Sequence, residues 1–227
     1  MNKFYKQAIF LQWLEAILIL IVGFYPALLI IELSYFQPLS GLLFFIYLPL
    51  GQFAITPLFK LSGVYKFYST MLGGYMAHQL QIDLHSGGSF DYLFVMRKFK
   101  KGIELRKALL TYHLEGLLNI ISQIEEGVIP KTVTIVGTSY FFNERTINNL
   151  GFESQKPSLF YRINLFVNFI DLTWMYSLAQ GHFAIPKLWK ANKAQIEGVK
   201  LVEKKEMIKL LYERMNEKVL RNDNRNH

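Results

Sequence analysis

None of the 227 residues is cysteine, so disulfides, thiolate zinc sites and a cysteine nucleophile are excluded together. A metal site would have to be built from histidine and carboxylate, and no spacing of those residues calls for one. The Gly-x-Ser-x-Gly core of a serine nucleophile elbow is missing, as are the P-loop and the three-glycine pattern of a dinucleotide fold. No segment repeats, and none is of low complexity. Charge is scarce in one place: residues 10–59 hold two acidic side chains, Glu15 and Glu32, and no Lys or Arg. An apolar fraction of 52% is high for a soluble domain. The excess sits in this first quarter, which points to a membrane segment.

Residues 13–31 carry a single charge over about the length a helix needs to cross a ~30 Å hydrocarbon core. A second apolar run, residues 41–58, follows almost at once, which a cleaved signal peptide would not show. Together they predict a hairpin of two spanning helices, interrupted by Pro26, Pro49 and Pro57. The loop at 32–40 lacks Lys and Arg. Lys3 and Lys6 precede the first span, while Lys60, Lys66, Arg97, Lys98, Lys100 and Lys101 follow the second. Positive charge stays on the cytoplasmic side, so both termini are expected inside, with the chain integral to the cell's inner membrane. Three polar residues then need partners. Counting ~1.5 Å per residue back from the outer loop sets Glu15 level with Thr56 to Lys60, which predicts a Glu15–Lys60 pair; ion or proton translocation is the competing reading. Gln12 and Gln52 read as interhelical hydrogen-bond partners.

After a short junction, the chain becomes mixed. Residues 78–85 alternate Leu80, Ile82 and Leu84 with polar neighbours, the period-two signature of a strand. Ser86 to Ser89 supply a turn and residues 90–96 a second strand candidate. From Gly102 to about Glu126 the apolar period lengthens to three and four, predicting one long amphipathic helix with Gly127 at its C-terminal cap. Thr132 to Val136 reads as a strand and residues 143–150 as a short helix. The fold class expected is therefore a membrane protein: a two-helix hairpin over 1–62, a small α/β cytoplasmic domain over 63–157, an amphipathic membrane-surface or core helix over 158–189, and a charged helix with a polar tail over 190–227. Residues 163–178 are nearly long enough to span, but Arg162, Asn164, Asn168 and Asp171 stripe that helix with polarity. A third span would also put the charged tail outside.

The densest polar cluster is His78, Asp83, His85, Ser86, Ser89 and Asp91. On a strand Asp83 and His85 share a face, which allows a carboxylate-oriented imidazole to act as a general base; the same alternation suits an ordinary solvated face. Gly137, Thr138 and Ser139 follow a strand and precede a short helix, a candidate anion cradle to which Lys100 and Lys101 would add charge. The catalytic candidates are thus His85, Asp83, Asp91 and Ser139. No cofactor is indicated by the residues alone.

The order from Asp91 to Glu153 resembles the C-terminal half of a GNAT-type acyltransferase: strand, basic loop, helix, strand, then Asn143 leading to Leu150-Gly-Phe-Glu153. The resemblance implies an acyl-CoA pyrophosphate cradle beginning at Gly102. It covers about a quarter of the chain and departs from the family at Phe99, where Arg or Gln is usual, and at Glu104, which sets a negative charge beside the phosphate. It is a likeness of order, not membership.

Two functions follow from these readings. A membrane-anchored module that works by assembly, as a subunit or sensor-effector of an inner-membrane complex, fits the hairpin and the basic junction. Its partners would be a bilayer with anionic headgroups and a second copy or a membrane-complex subunit. A net charge of +8 would also suit nucleic acid, but beside a membrane anchor anionic lipid is the better match. The alternative is a membrane-bound enzyme, acyltransferase-like or a hydrolase, acting on an acyl or phosphate-bearing substrate near the inner leaflet. Pore formation by oligomerised hairpins has only Gln12, Glu15 and Gln52 to line a channel.

Overall fold

The structure, a computed structural model, describes residues 3–78, 80–138 and 144–223. After a single turn, α1 (Lys3–Lys6), two long helices lie side by side: α2 (Ile9–Phe36) and α3 (Leu43–Leu61), joined through a 3-10 turn at Pro38–Leu42. Both are long and apolar enough to cross a membrane. Their contact is made by small residues. Ala16, Gly23 and Ala27 are buried on α2, and Ala54 and Pro57 on α3. A Cβ placed on Gly23 would lie 2.4 Å from the Ala54 Cβ, so the helices approach as closely as they do because no side chain stands there. The outward faces are apolar and exposed, Ile21, Val22, Leu28 and Ile46 among them.

A mixed α/β region follows. Its elements are β1 (Lys66–Ser69), β2 (Leu72–His78), β3 (Gln81–Ser86), α4 (Ser89–Phe94), α5 (Ile103–Glu125), β4 (Thr134–Thr138), α6 (Glu144–Asn149), β5 (Glu153–Gln155), α7 (Leu159–Val167), α8 (Phe169–Gln180), β6 (Lys193–Glu197), α9 (Gly198–Glu203) and α10 (Lys205–Asp223). The strands form one sheet in the order β1-β2-β3-β4-β6-β5. All neighbours are antiparallel except β3 and β4, which run parallel. The parallel pair needs a crossover, and α4 and α5 provide it.

Three differences from the sequence reading matter. Residues 90–96, expected as a strand, are α4 followed by a 3-10 turn at Met96–Lys98. Phe90 is buried toward the hairpin, while Tyr92, Val95 and Met96 are buried toward α5 and α8. A short run that is apolar on every side suits a helix wedged between two surfaces as well as it suits a buried strand. The strand partner of β3 is instead β2, in a stretch to which the sequence reading gave no element, and the segment taken for a junction contains β1. Residues 190–221, expected as one charged helix, open with β6, which enters the sheet between β4 and β5.

One core lies between the sheet and α5, α9 and α10. Ile82, Ile120, Ile121, Ile124, Ile135 and Leu201 are fully enclosed there. A second joins α4, the first turns of α5, and α7 and α8. A third, smaller cluster joins domain to hairpin. Phe90 meets Phe4 edge-on with ring centroids 5.3 Å apart, and Phe53 of α3 lies 5.2 Å from it.

Candidate functional site

The pairing between β3 and β4 stops early. Gln81, Ile82 and Asp83 sit opposite Thr134, Ile135 and Val136, and there the ladder ends. Leu84, His85 and Ser86 continue against β2 alone, and Gly137 and Thr138 against β6 alone. Parallel strands that part at their carboxyl ends leave a crevice, which is where open α/β sheets hold ligands. Here the crevice opens into a cavity of about 770 Å³, the size of an ordinary small-molecule site. It runs from the strand ends past Ser86–Ser89 to α3, α7 and α8.

Much of the wall is apolar: Leu84, Leu114, Leu117, Phe152, Leu172 and Met175. Polar groups gather at two places. At the strand ends, His85 stacks on Tyr75 with centroids 5.4 Å apart and meets Tyr65 edge-on at 5.8 Å. Asp83 accepts a hydrogen bond from Gln81 Nε2 at 2.7 Å, and burial, with the Asp83 charge, raises the pKa of the nearby Tyr75 hydroxyl. His85 keeps access to solvent, but the protein packed around it lowers its pKa, an effect Asp83 partly opposes. The imidazole is therefore neutral at physiological pH and able to accept a proton.

The second polar place is deeper. Asp91 is fully buried, and its Oδ2 accepts the Gly88 N–H at 3.2 Å, closing the first turn of α4. Gly87 is needed beside it, since a Cβ there would lie 2.7 Å from Met71 Cε and 2.9 Å from Asp91 Cβ. Asp171 of α8 is buried too, and desolvation raises its carboxyl pKa to about 6. The Ser89 hydroxyl faces that carboxyl and limits the rise, though the pair does not meet hydrogen-bond geometry: Ser89 Oγ and Ser86 Oγ are both buried without a partner among the described residues. Burial also pushes the Tyr92 hydroxyl far up, with the Asp171 charge adding to the effect.

Of the residues singled out in the sequence, Asp83, His85, Ser86, Ser89, Asp91 and Gly137 all line this cavity. Ser139 and the side chains of His78 and Thr138 lie outside the described residues. Lys100 and Lys101 are exposed and do not line the cavity. The glycine after them, Gly102, starts α5 with φ 91° and packs on Gly181, its N–H donating to Leu178 O at 2.9 Å. A cradle starting at Gly102 is thus occupied by the end of α8, and the strand-to-helix junction is instead Ser86–Ser89.

Two membrane-segment expectations change as well. Gln12 bonds within its own segment, to Gln7 O at 2.9 Å. Gln52 reaches out of the hairpin and donates to Asn168 Oδ1 at the α7–α8 bend. Lys60 turns to the domain, its ammonium 4.0 Å from the centre of the Phe67 ring and within the field of Asp91.

Sequence reasoning missed Asp171, Asn164 and Asn168 as cavity residues. Their near-helical spacing in an apolar stretch was the available signal. His113 of α5 also lines the cavity; its Nδ1 lies 2.6 Å from Leu109 O, and burial lowers its pKa. Compared with protein-family models, curated proteins and solved structures, the chain matches none.

Proposed function

We propose that this chain is a membrane-bound enzyme that transfers or hydrolyses an acyl group, with its site in the cavity at the parted ends of β3 and β4. The observation that carries the reading is the cavity itself, a largely apolar space with a neutral imidazole at one end and buried carboxyls at the other, bordered by an apolar helix of membrane-spanning length. Three acidic residues, Asp83, Asp91 and Asp171, line it, which disfavours a phosphate there and favours the acyl member of the two substrate classes. His85 would take the proton from an acceptor hydroxyl, amine or water as it attacks the acyl carbonyl, and return it to the donor's thiolate or alkoxide as the acyl–sulfur or acyl–oxygen bond breaks, with Asp83 on the same strand face beside it.

In this reading the hairpin spans the inner membrane with both termini cytoplasmic, as the lysine-rich flanks and lysine-free loop favour. The test is a thermal-shift screen of the detergent-solubilised chain against acyl thioesters, nucleotides and divalent cations. Stabilisation by acyl thioesters, lost in His85→Ala, is the expected result. A shift with nucleotides alone, or with none of the three, would retire the acyl reading.

A second reading, assembly into an inner-membrane complex, rests on the exposed basic run Arg97, Lys98, Lys100 and Lys101, which suits anionic headgroups or an acidic partner. Co-sedimentation with anionic but not neutral liposomes of a chain whose four basic residues are intact, and its loss when all four are changed to Gln, would favour it.

A further inference from the structure

We infer that the cavity is entered sideways from the bilayer, through the seam between α3 and the α7–α8 bend, and that its ligand is a membrane-resident amphiphile whose chain lies in the inner leaflet. The inference rests on the proposed function only in taking this cavity as the ligand site.

The seam is fixed by the Gln52–Asn168 hydrogen bond. Gln52 is nine residues from Leu61, the last residue of α3, so at ~1.5 Å per residue it stands roughly 14 Å up the helix from its domain end. A bend of the domain that bonds there lies beside the apolar span, not below it. The cavity reaches the same height, for Gln52, Ile55, Thr56 and Phe59 of α3 line it, together with Asn164 and Asn168 of α7 and the bend.

The two faces of α7–α8 agree with this placement. Leu165, Leu172, Met175 and Ala179 are buried against the domain. On the opposite side Leu159, Ile163, Phe166, Ile170 and Trp174 recur at spacings of three and four and are exposed, Leu159 at 75% and Phe166 at 71%. α8 packs against α3, which has its own exposed apolar residues such as Ile46 and Leu50, and a large apolar face beside a helix of spanning length is one that acyl chains cover. Just beyond it, Trp189 is 70% exposed between the exposed Lys187 and Lys190, the pairing of aromatic and cation that suits the headgroup level. Inside the seam, Ser89 is nine-tenths buried with its hydroxyl unpartnered and Asp171 stands beside it. A polar head would meet these groups while its chain passed between α3 and α7.

The absence of cysteine makes the test direct. Single substitutions Ile163→Cys, Phe166→Cys and, as a water-facing control, Leu210→Cys on α10 are spin-labelled in the full chain in nanodiscs of phosphatidylethanolamine and phosphatidylglycerol. Labels at 163 and 166 should be reached by oxygen and shielded from a water-soluble nickel chelate, with the label at 210 the reverse. A nickel-accessible label at 166, or one shielded from both reagents as in a contact between two copies, overturns the inference. In the same nanodiscs a diacylglycerol carrying a photoactivatable chain end should label cavity residues such as Ile55 and Leu165. Adducts confined to the outward faces of α2 and α3 would also overturn it. Lipid-exposed labels and cavity adducts, found in a chain that no acyl thioester stabilises, would retire the acyl-transfer reading and leave the lateral route standing.

Discussion

The hairpin and the α/β region solve packing in opposite ways. In the hairpin the interior is made of Ala16, Gly23, Ala27 and Ala54, and the large side chains face outward. In the sheet domain the large side chains are inside, Ile82, Ile120, Ile121 and Ile135 at 0% exposure, and the outer surfaces carry charge. Where water is the solvent, burying branched aliphatics is the driving force. Between helices that lie in lipid no such force exists, and close approach of backbones replaces it. The same 20 amino acids are therefore sorted inside out within one chain, and the boundary falls at the small aromatic cluster of Phe4, Phe53 and Phe90.

That contrast can be broken at several points. Ile135→Ala, at the centre of the sheet, should lower unfolding stability by about 2–5 kcal/mol, because it removes buried methyls and leaves a cavity; denaturant melts in detergent would show it. Asp171 gives the next effect. Burial lifts its native pKa from the ordinary aspartate value of 3.8 to about 6, so ionisation favours the unfolded chain. Little is lost below about pH 4, stability falls between about pH 4 and 6, and the loss levels off above that at roughly 3 kcal/mol. Asp171→Asn should flatten the Tm-versus-pH curve between pH 4 and 7, and an unchanged slope would count against this carboxyl as its source.

Gly23→Val should cost about 1–3 kcal/mol through overpacking against Ala54, and it should loosen the hairpin while leaving the sheet domain's circular dichroism intact. Gly41→Ala, whose nearest neighbour would be 3.8 Å away, is the matched control. Least of all, Lys200→Ala, which removes an exposed partner of Glu153, should leave Tm unchanged.

The comparison also explains what could be read in the sequence. The hairpin was legible because 18 or more apolar residues in a row have few alternatives. The long helix α5 was legible because its stripe persists over many turns. β2 was not, since Gly73 and Gly74 argue against a strand; there Phe67, Tyr68 and Ile82 lie so close that a Cβ on either glycine would stand 3.0–3.6 Å from them, and they supply the cover the glycines lack. β6 hid inside a charged stretch, although Ala194 and Ile196 alternate with Lys193, Gln195 and Glu197 and are the two residues it buries. For the site, the cluster around His85 was visible as a run of polar letters on one hairpin. Its counterpart, Asp171, comes from a helix 80 residues further on, and nothing local announces that α8 folds back on α4.

The late insertion of β6 has a consequence for synthesis. β5 touches the sheet only through β6, and β6 occupies residues 193–197 of 227. Until that stretch has left the ribosome, β4 presents a bare edge and β5 has nowhere to dock, while the two long apolar helices are already complete. The nascent chain thus carries an unfinished sheet, and its exposure to mispairing and proteolysis lasts until β6 arrives.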